Sequence, residues 1–281
     1  MKTVVVTGAS TGIGQGCVTV LIEKGFRVFG SVRKQADAER LAKEFGSNFK
    51  PLQFDVTDAA AVRTAAAATA ADLGRESLFG LVNNAGVAVA GPLLYLDIDE
   101  FRHQLEVNVT GQLIVTQAFA PLLNRSPNGT PGRIVMISSV GGRNASPFLG
   151  AYNASKFALE GLSESLRREL MLLGIDVIVV APGAVATPIW DKAEQVDVSR
   201  YANTPYAGAL GAVRDYMLAN GRKGLRSERL GRAVWHALTA PKPCTRYVVT
   251  PDPLQNLLVN NLPKRMVDRM IAGRLGLLPR P

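Results

Sequence analysis

Seven short apolar runs rich in β-branched residues alternate with helix-like segments, and that alternation leaves the chain few ways to fold. The runs are TVVVT (3–7), RVFGSV (27–32), FKPLQF (49–54), LFGLVN (78–83), RIVMIS (133–138), DVIVVA (176–181) and RYVVT (246–250). Helical patterns lie between them near 13–25, 35–45, 58–73, 99–124, 152–173 and 206–220. Strands that read as near-continuous apolar runs are buried on both faces, as in a parallel sheet covered by helices. The expected class is therefore α/β, a doubly wound parallel sheet of about seven strands with helices on both faces. In such sheets ligands bind outside the carboxyl ends of the strands. No internal boundary or linker interrupts residues 1–281, so one domain is expected.

Composition narrows the function classes. With 281 residues, 47% apolar and 20% charged, the chain can bury a large core and is not of the disordered type. No run of 18 apolar residues suggests a membrane span. The opening MKTVVVTGAS has an apolar run too short for a secretion signal and reads as a buried strand. Cys17 and Cys244 are too few for a disulfide framework, which points to a reduced, cytoplasmic setting. His103 and His236 stand far apart and outside every motif, so neither a serine–histidine hydrolase nor a metal site is expected. The net charge of +9 raises the question of a polyanionic partner. The cations are scattered, with loose clusters at 222–232 and 264–274 that lack interleaved aromatics. An anionic cofactor and solubility explain the charge, and no nucleic-acid partner is expected.

The segment TGASTGIG (7–14) directly follows the first strand and opens the first helix. Gly8, Gly12 and Gly14 permit a tight turn and close backbone approach, and the helix N-terminus offers free amides to an anion. With Ser10, Thr11 and Ile13, this forms a candidate dinucleotide site and makes the expected sheet Rossmann-like. The second strand ends GSVRKQ, with Val32 where an acid would favour NAD and Arg33 next to it. A cation there suits the 2′-phosphate of NADP, while the loop itself carries no basic residue. NADP is the expected cofactor, with NAD the alternative.

At this point the chain resembles the short-chain dehydrogenase/reductase family, through an ordered series of motifs over roughly residues 1–190. TGASTGIG is similar to the family's TGxxxGxG loop, and FDVTD (54–58) to its adenine-side segment with Asp55. NNAG (83–86), EVNVTG (106–111) with Asn108, ISS (137–139), YNASK (152–156) and PGAVAT (182–187) follow in order. The resemblance implies an NAD(P)-dependent alcohol dehydrogenase or carbonyl reductase with catalytic Asn108, Ser139, Tyr152 and Lys156. It adds cofactor contacts from Asp55, Val56, Asn84, Ala85, Gly86, Tyr152, Lys156, Pro182, Gly183, Val185 and Thr187, the last to the nicotinamide amide. It also implies a substrate lid near 184–225, a small-molecule alcohol or ketone substrate, and a homodimer or homotetramer.

Elementary chemistry supports these roles. Tyr152 and Lys156 stand one helical turn apart on one face. Ionising a phenol of pKa near 10 at neutrality requires about 4 kcal/mol. An ammonium about 4 Å away, at an effective dielectric near 20, supplies a similar amount, so the lysine is expected to lower the tyrosine's pKa. In reduction Tyr152 would protonate the carbonyl oxygen while Ser139 hydrogen-bonds it. Asn108 would hold a water leading to Lys156, or it is a local helix irregularity. Asp55 contacts cofactor or caps the following helix, with Asp58 as the other capping candidate.

Leu93, Leu94, Tyr95, Phe148, Trp190, Tyr201 and Tyr206 are candidates for an apolar pocket, which makes a hydrophobic substrate the expectation. The chain is broadly similar to the steroid- and retinol-acting members. A C-terminal extension, about 251–281, mixes apolar residues and cations in a helical rhythm over 257–278. Packing over the pocket or against another subunit is the favoured reading there, ahead of contact with a membrane surface.

Overall fold

The protein is described by a computed structural model covering residues 1–125, 129–188, 190 and 197–278. Seven strands, β1 (Thr3–Val6), β2 (Arg27–Val32), β3 (Phe49–Gln53), β4 (Gly80–Asn83), β5 (Arg133–Ile137), β6 (Val177–Pro182) and β7 (Arg246–Val249), form one sheet. Every pairing is parallel, in the order β3-β2-β1-β4-β5-β6-β7. The chain winds outward to β3, then returns to the other side of β1 as β4. The crevice opens at that reversal.

Strand alternation sorts the apolar residues into two layers. Val5, Leu81, Ile134, Met136, Val177 and Val179 face one side. They meet α3 (Ala59–Leu73), α5 (Gly111–Phe119) and α6 (Gly150–Glu169). Val4, Val6, Val82, Val135, Ile178 and Val180 face the other. There they meet α1 (Gly12–Glu23), α2 (Gln35–Phe45) and α8 (Ser227–Thr239). The remaining α-helices among the described residues are α4 (Ile98–Leu105), α7 (Ala207–Arg222), α9 (Pro253–Asn261) and α10 (Lys264–Leu275). None of the described helices is long and apolar enough to cross a membrane.

Two expectations are corrected. The helix expected over 99–124 is α4 and α5 joined by a π-turn at Glu106–Thr110, followed by a 3₁₀ turn. A wide turn there displaces the backbone beside Asn108. The sequence pattern also passed over α8. Its Leu230, Val234, Ala237 and Leu238 recur at helical spacing and are fully buried against the sheet. Gly16 and Gly231 let α1 and α8 cross closely, since a Cβ on Gly231 would stand 2.4 Å from the Gly16 carbonyl oxygen.

Candidate active site

The glycine loop leaves β1 at Thr7, whose buried hydroxyl oxygen accepts hydrogen bonds from Asn84 N (2.9 Å) and Ala85 N (3.0 Å). Asn84 Nδ2 donates to the carbonyl oxygens of Thr7 (2.8 Å) and Gly8 (3.2 Å). The neighbouring strand joins in, with Gly8 N donating to Ser31 Oγ at 3.0 Å and Ala9 N to Ser31 O at 2.9 Å. The loop is thus fixed from two strands. Gly8 and Gly12 have φ of 64° and 58°, which glycine adopts without strain. A Cβ on Gly14 would lie 2.1 Å from the Gly8 carbonyl oxygen.

Thr11, the residue before α1, makes no capping bond, and no acid occupies the first turn. The amides of Ile13 and Gly14 therefore open a helix end without a protein anion, which fits a dinucleotide diphosphate. Thr187 sits over the loop, 3.2 Å from where a Gly12 Cβ would be.

The far edge of the crevice resolves the two aspartates. Asp58 caps α3, accepting from Ala60 N and Ala61 N at 3.0 Å each. Asp55 is left to accept from Thr57 N and Oγ1, and its second oxygen lies 3.7 Å from Arg33 Nη1. Burial pushes its pKa up, but the Thr57 hydrogen bonds and Arg33 together hold it below the usual value. Arg40 of α2, which no sequence motif marks, reaches the loop and donates to Ser10 O at 2.7 Å. Val56 is buried beneath this edge, in contact with Gly111.

After β4 the chain runs irregularly through residues 84–91, and side-chain amides take up its backbone groups. Gln104 accepts from Val89 N (2.7 Å) and donates to Val87 O (2.8 Å). Asn108 accepts from Val87 N (2.8 Å) and donates to Val87 O and Ser155 Oγ (3.0 Å each). Gln112 donates to Ala85 O. Gln104, Asn108 and Gln112 are spaced four apart and buried, a signal present in the sequence and missed there. Each polar atom of the Asn108 side chain bonds to protein, which fixes the amide in place. Gly86 lies against it, and a Cβ on that glycine would stand 3.2 Å from Asn108 Oδ1.

Ser139 follows β5 and begins a 3₁₀ turn, its Oγ accepting from Gly141 N at 3.0 Å. Tyr152, in the first turn of α6, shares a hydrogen bond with Ser139. Lys156 is buried one turn on, donating through Nζ to Ile137 O at 2.8 Å, with Nζ 5.8 Å from the Tyr152 ring centre. Burial raises the phenol above its ordinary value of 10, the Ser139 hydrogen bond opposing. Burial lowers Lys156 from 10.5 to about 8, with Glu160 opposing. The net direction is thus upward, against the lowering expected from the lysine, because burial is the largest influence on the phenol.

Beside these residues, Tyr206 makes edge contacts with Phe148 (5.7 Å between ring centres) and Tyr95 (6.1 Å). Phe148 is held at φ 62°, unusual for a non-glycine residue, where its carbonyl accepts from Gly91 N at 2.8 Å. Leu93 packs over Gly150, while Leu94 is 80% exposed. Two further residues expected at the pocket make packing contacts. Tyr201 is buried against Gly91 and Leu96, and Trp190 lies on Gly221 with its indole donating to Val185 O at 2.7 Å.

Pro182 ends β6, and Gly183 passes close to Thr250. The base of the expected lid is closed by Ala186 N to Leu225 O and Leu225 N to Ala184 O, both 2.9 Å. Residues 189 and 191–196 of the lid, and 279–281 of the extension, lie outside the described residues.

A doubly wound sheet with an open glycine loop and a serine–tyrosine–lysine group at its carboxyl edge defines the class of a nicotinamide-linked dehydrogenase. The family model for short chain dehydrogenase matches residues 2–197. The chain is 39% identical to an NADPH-dependent 3-dehydrocapnine reductase of Ornithobacterium rhinotracheale, over 96% of both chains. It is 36% identical to human retinol dehydrogenase 5, over 98% of this chain and 88% of the relative. A crystal structure of a short-chain dehydrogenase from Streptomyces avermitilis superposes with a TM-score of 0.77 at 27% identity, covering 98% and 97% of the two chains. This chain belongs to the short-chain dehydrogenase/reductase family of oxidoreductases.

Proposed function

We propose that the protein is an NADP-dependent oxidoreductase interconverting a hydrophobic ketone and its alcohol, with Tyr152 as the general acid and base. The observation that carries this reading is the meeting of Ser139, Tyr152 and buried Lys156 beside an open glycine loop. The bound cofactor supplies the hydride. Burial keeps the Tyr152 phenol protonated at neutral pH, the form that donates to a carbonyl oxygen. Ser139 hydrogen-bonds the same oxygen as negative charge develops on it. Lys156, anchored by the Ile137 carbonyl, has two further ammonium donors for a bound cofactor and fixes the reacting geometry. The Asn108 amide fixes the segment after β4, which forms one wall of the cofactor cleft.

Arg33, exposed at the end of β2, favours the phosphorylated dinucleotide. The NADPH-dependent reductase among the relatives supports the same choice. The exposed Leu93, Leu94 and Tyr95 beside Phe148 and Tyr206 favour an apolar substrate, as does the likeness to a retinol dehydrogenase. Exposed Phe157, Leu172 and Leu173 along α6 and its end fit a homodimer or homotetramer. A cytoplasmic setting accords with two free cysteines.

The test is Tyr152→Phe. Turnover of apolar ketones with NADPH should fall at least a thousandfold while NADPH affinity stays within twofold. A variant retaining more than a tenth of wild-type turnover would remove Tyr152 from the chemistry.

A further inference from the structure

We propose that Arg40 is a second cation of the subsite for the cofactor's ribose 2′-phosphate and that, with Arg33, it sets discrimination between NADPH and NADH. The inference rests on the NADP reading above and extends it to a residue on another element. The glycine loop has Thr11 and no basic residue of its own. The fold supplies one from α2, because Arg40 Nη2 donates to the Ser10 carbonyl at 2.7 Å.

The two arginines flank the joined end of β2 and the loop, Arg33 with its Nη1 3.7 Å from Asp55 Oδ2 and Arg40 on the loop backbone itself. Ser31 accepts from the amides of Gly8 and Ala9, so the end of β2 is stitched to the loop. Arg33 extends two residues beyond that stitch, and Arg40 is fastened to the loop at Ser10. The ribose that lies between β2 and a glycine loop of this kind is the one bearing the 2′-substituent. Arg40 is fixed before any ligand arrives: besides Ser10, Asp37 Oδ1 and Glu44 Oε2 each lie 3.4 Å from its nitrogens. A planar guanidinium has five N–H donors, so these contacts leave donors for a phosphate. Its side chain is 43% exposed, open to a ligand on the solvent side. Asp37 and Glu44 orient the group and temper its charge, which limits the expected effect to about tenfold.

A staple that only ties α2 to the loop would act on both dinucleotides alike, and the experiment turns on that difference. Dissociation constants for NADPH, NADH, 2′,5′-ADP and 5′-AMP are measured at one ionic strength for wild type, Arg33→Gln, Arg40→Gln and Arg40→Lys. Arg40→Gln should weaken NADPH and 2′,5′-ADP about tenfold and change NADH and 5′-AMP less than twofold. Arg40→Lys, which keeps the charge, should recover part of the loss. Equal weakening of phosphorylated and unphosphorylated ligands, or no weakening, overturns the assignment. A wild-type protein that binds NADPH no better than NADH overturns the cofactor reading along with it. A wild-type preference that survives Arg40→Gln but falls in Arg33→Gln overturns the Arg40 assignment alone.

Discussion

Replacing Lys156 with methionine should abolish turnover and, at neutral pH, relieve the folded protein of a buried charge. The side chain is 5% exposed, and burial lowers its pKa from 10.5 to about 8. At about 1.4 kcal/mol per pH unit, that drop corresponds to about 3 kcal/mol of destabilisation wherever both states are protonated. The sign follows from proton counting. Between pH 8 and 10.5 the unfolded chain keeps a proton that the folded chain has released, so wild-type stability rises with pH across that window. Below pH 8 the full cost is present; above 10.5 it is gone.

Urea unfolding of the cofactor-free wild type and Lys156→Met at pH 7 and pH 10, followed by far-ultraviolet circular dichroism, isolates the effect. Methionine also orphans the Ile137 carbonyl, a cost of about 1–3 kcal/mol, and changes local packing. Neither consequence depends on pH, so both cancel when the two pH values are subtracted. Relative to the variant, the wild type should gain about 2–3 kcal/mol from pH 7 to pH 10. A gain under about 0.5 kcal/mol would mean that Lys156 is not held in a desolvated site, and the description of the acid–base group would fail with it.

The other perturbations act on the framework around that group. Asn108→Leu leaves the part-buried Val87 N–H and a bond to Ser155 unmade, and should destabilise the protein by about 1–3 kcal/mol in thermal or urea unfolding. A loss below about 1 kcal/mol would show that the segment after β4 satisfies itself otherwise. Gly14→Ala places a methyl group 2.1 Å from the Gly8 carbonyl oxygen, so cofactor affinity should fall more than a hundredfold by fluorescence titration. Retained affinity would require a loop that opens freely, against the bonds that tie it to Ser31 and Asn84.

The sheet was legible because the inner strands are nearly unbroken apolar runs, and all seven observed strands, the alternating edge strand β3 included, fall within one or two residues of the expected runs. The glycine loop, Ser139, Tyr152 and Lys156 were legible because local chemistry and the motif series pointed to the same positions. What the sequence could not convey was how burial acts on the pair. Tyr152 and Lys156 at i and i+4 imply attraction, but only the fold reveals that the ammonium also bonds Ile137 and that burial is the largest influence on both groups. Asn108 read as isolated because its partners, Val87 and Ser155, lie 21 and 47 residues away. Arg40 lies in no motif, and its contact with Ser10 spans 30 residues, so nothing local marks it.

Helix α6 shows why these features belong together. Tyr152 bonds the Ser139 turn, Ser155 accepts from Asn108 at 3.0 Å, Lys156 grips the end of β5, and Glu160 accepts from Arg246 Nε of β7 at 3.0 Å. Positions i, i+3, i+4 and i+8 cluster on one side of a helix, so a single rigid element meets the π-turn between α4 and α5, β5 and the sheet edge. Glu160 also favours the charged form of Lys156 from one turn away. It is itself held by Arg246 and, at 3.7 Å, by Arg143. The buried ammonium is thus balanced from both directions: a carbonyl at its tip, and beyond it a carboxylate already committed to two arginines. Burial lowers the lysine's pKa, and this arrangement keeps it near 8 instead of lower, which leaves Lys156 charged at neutral pH beside a protonated phenol.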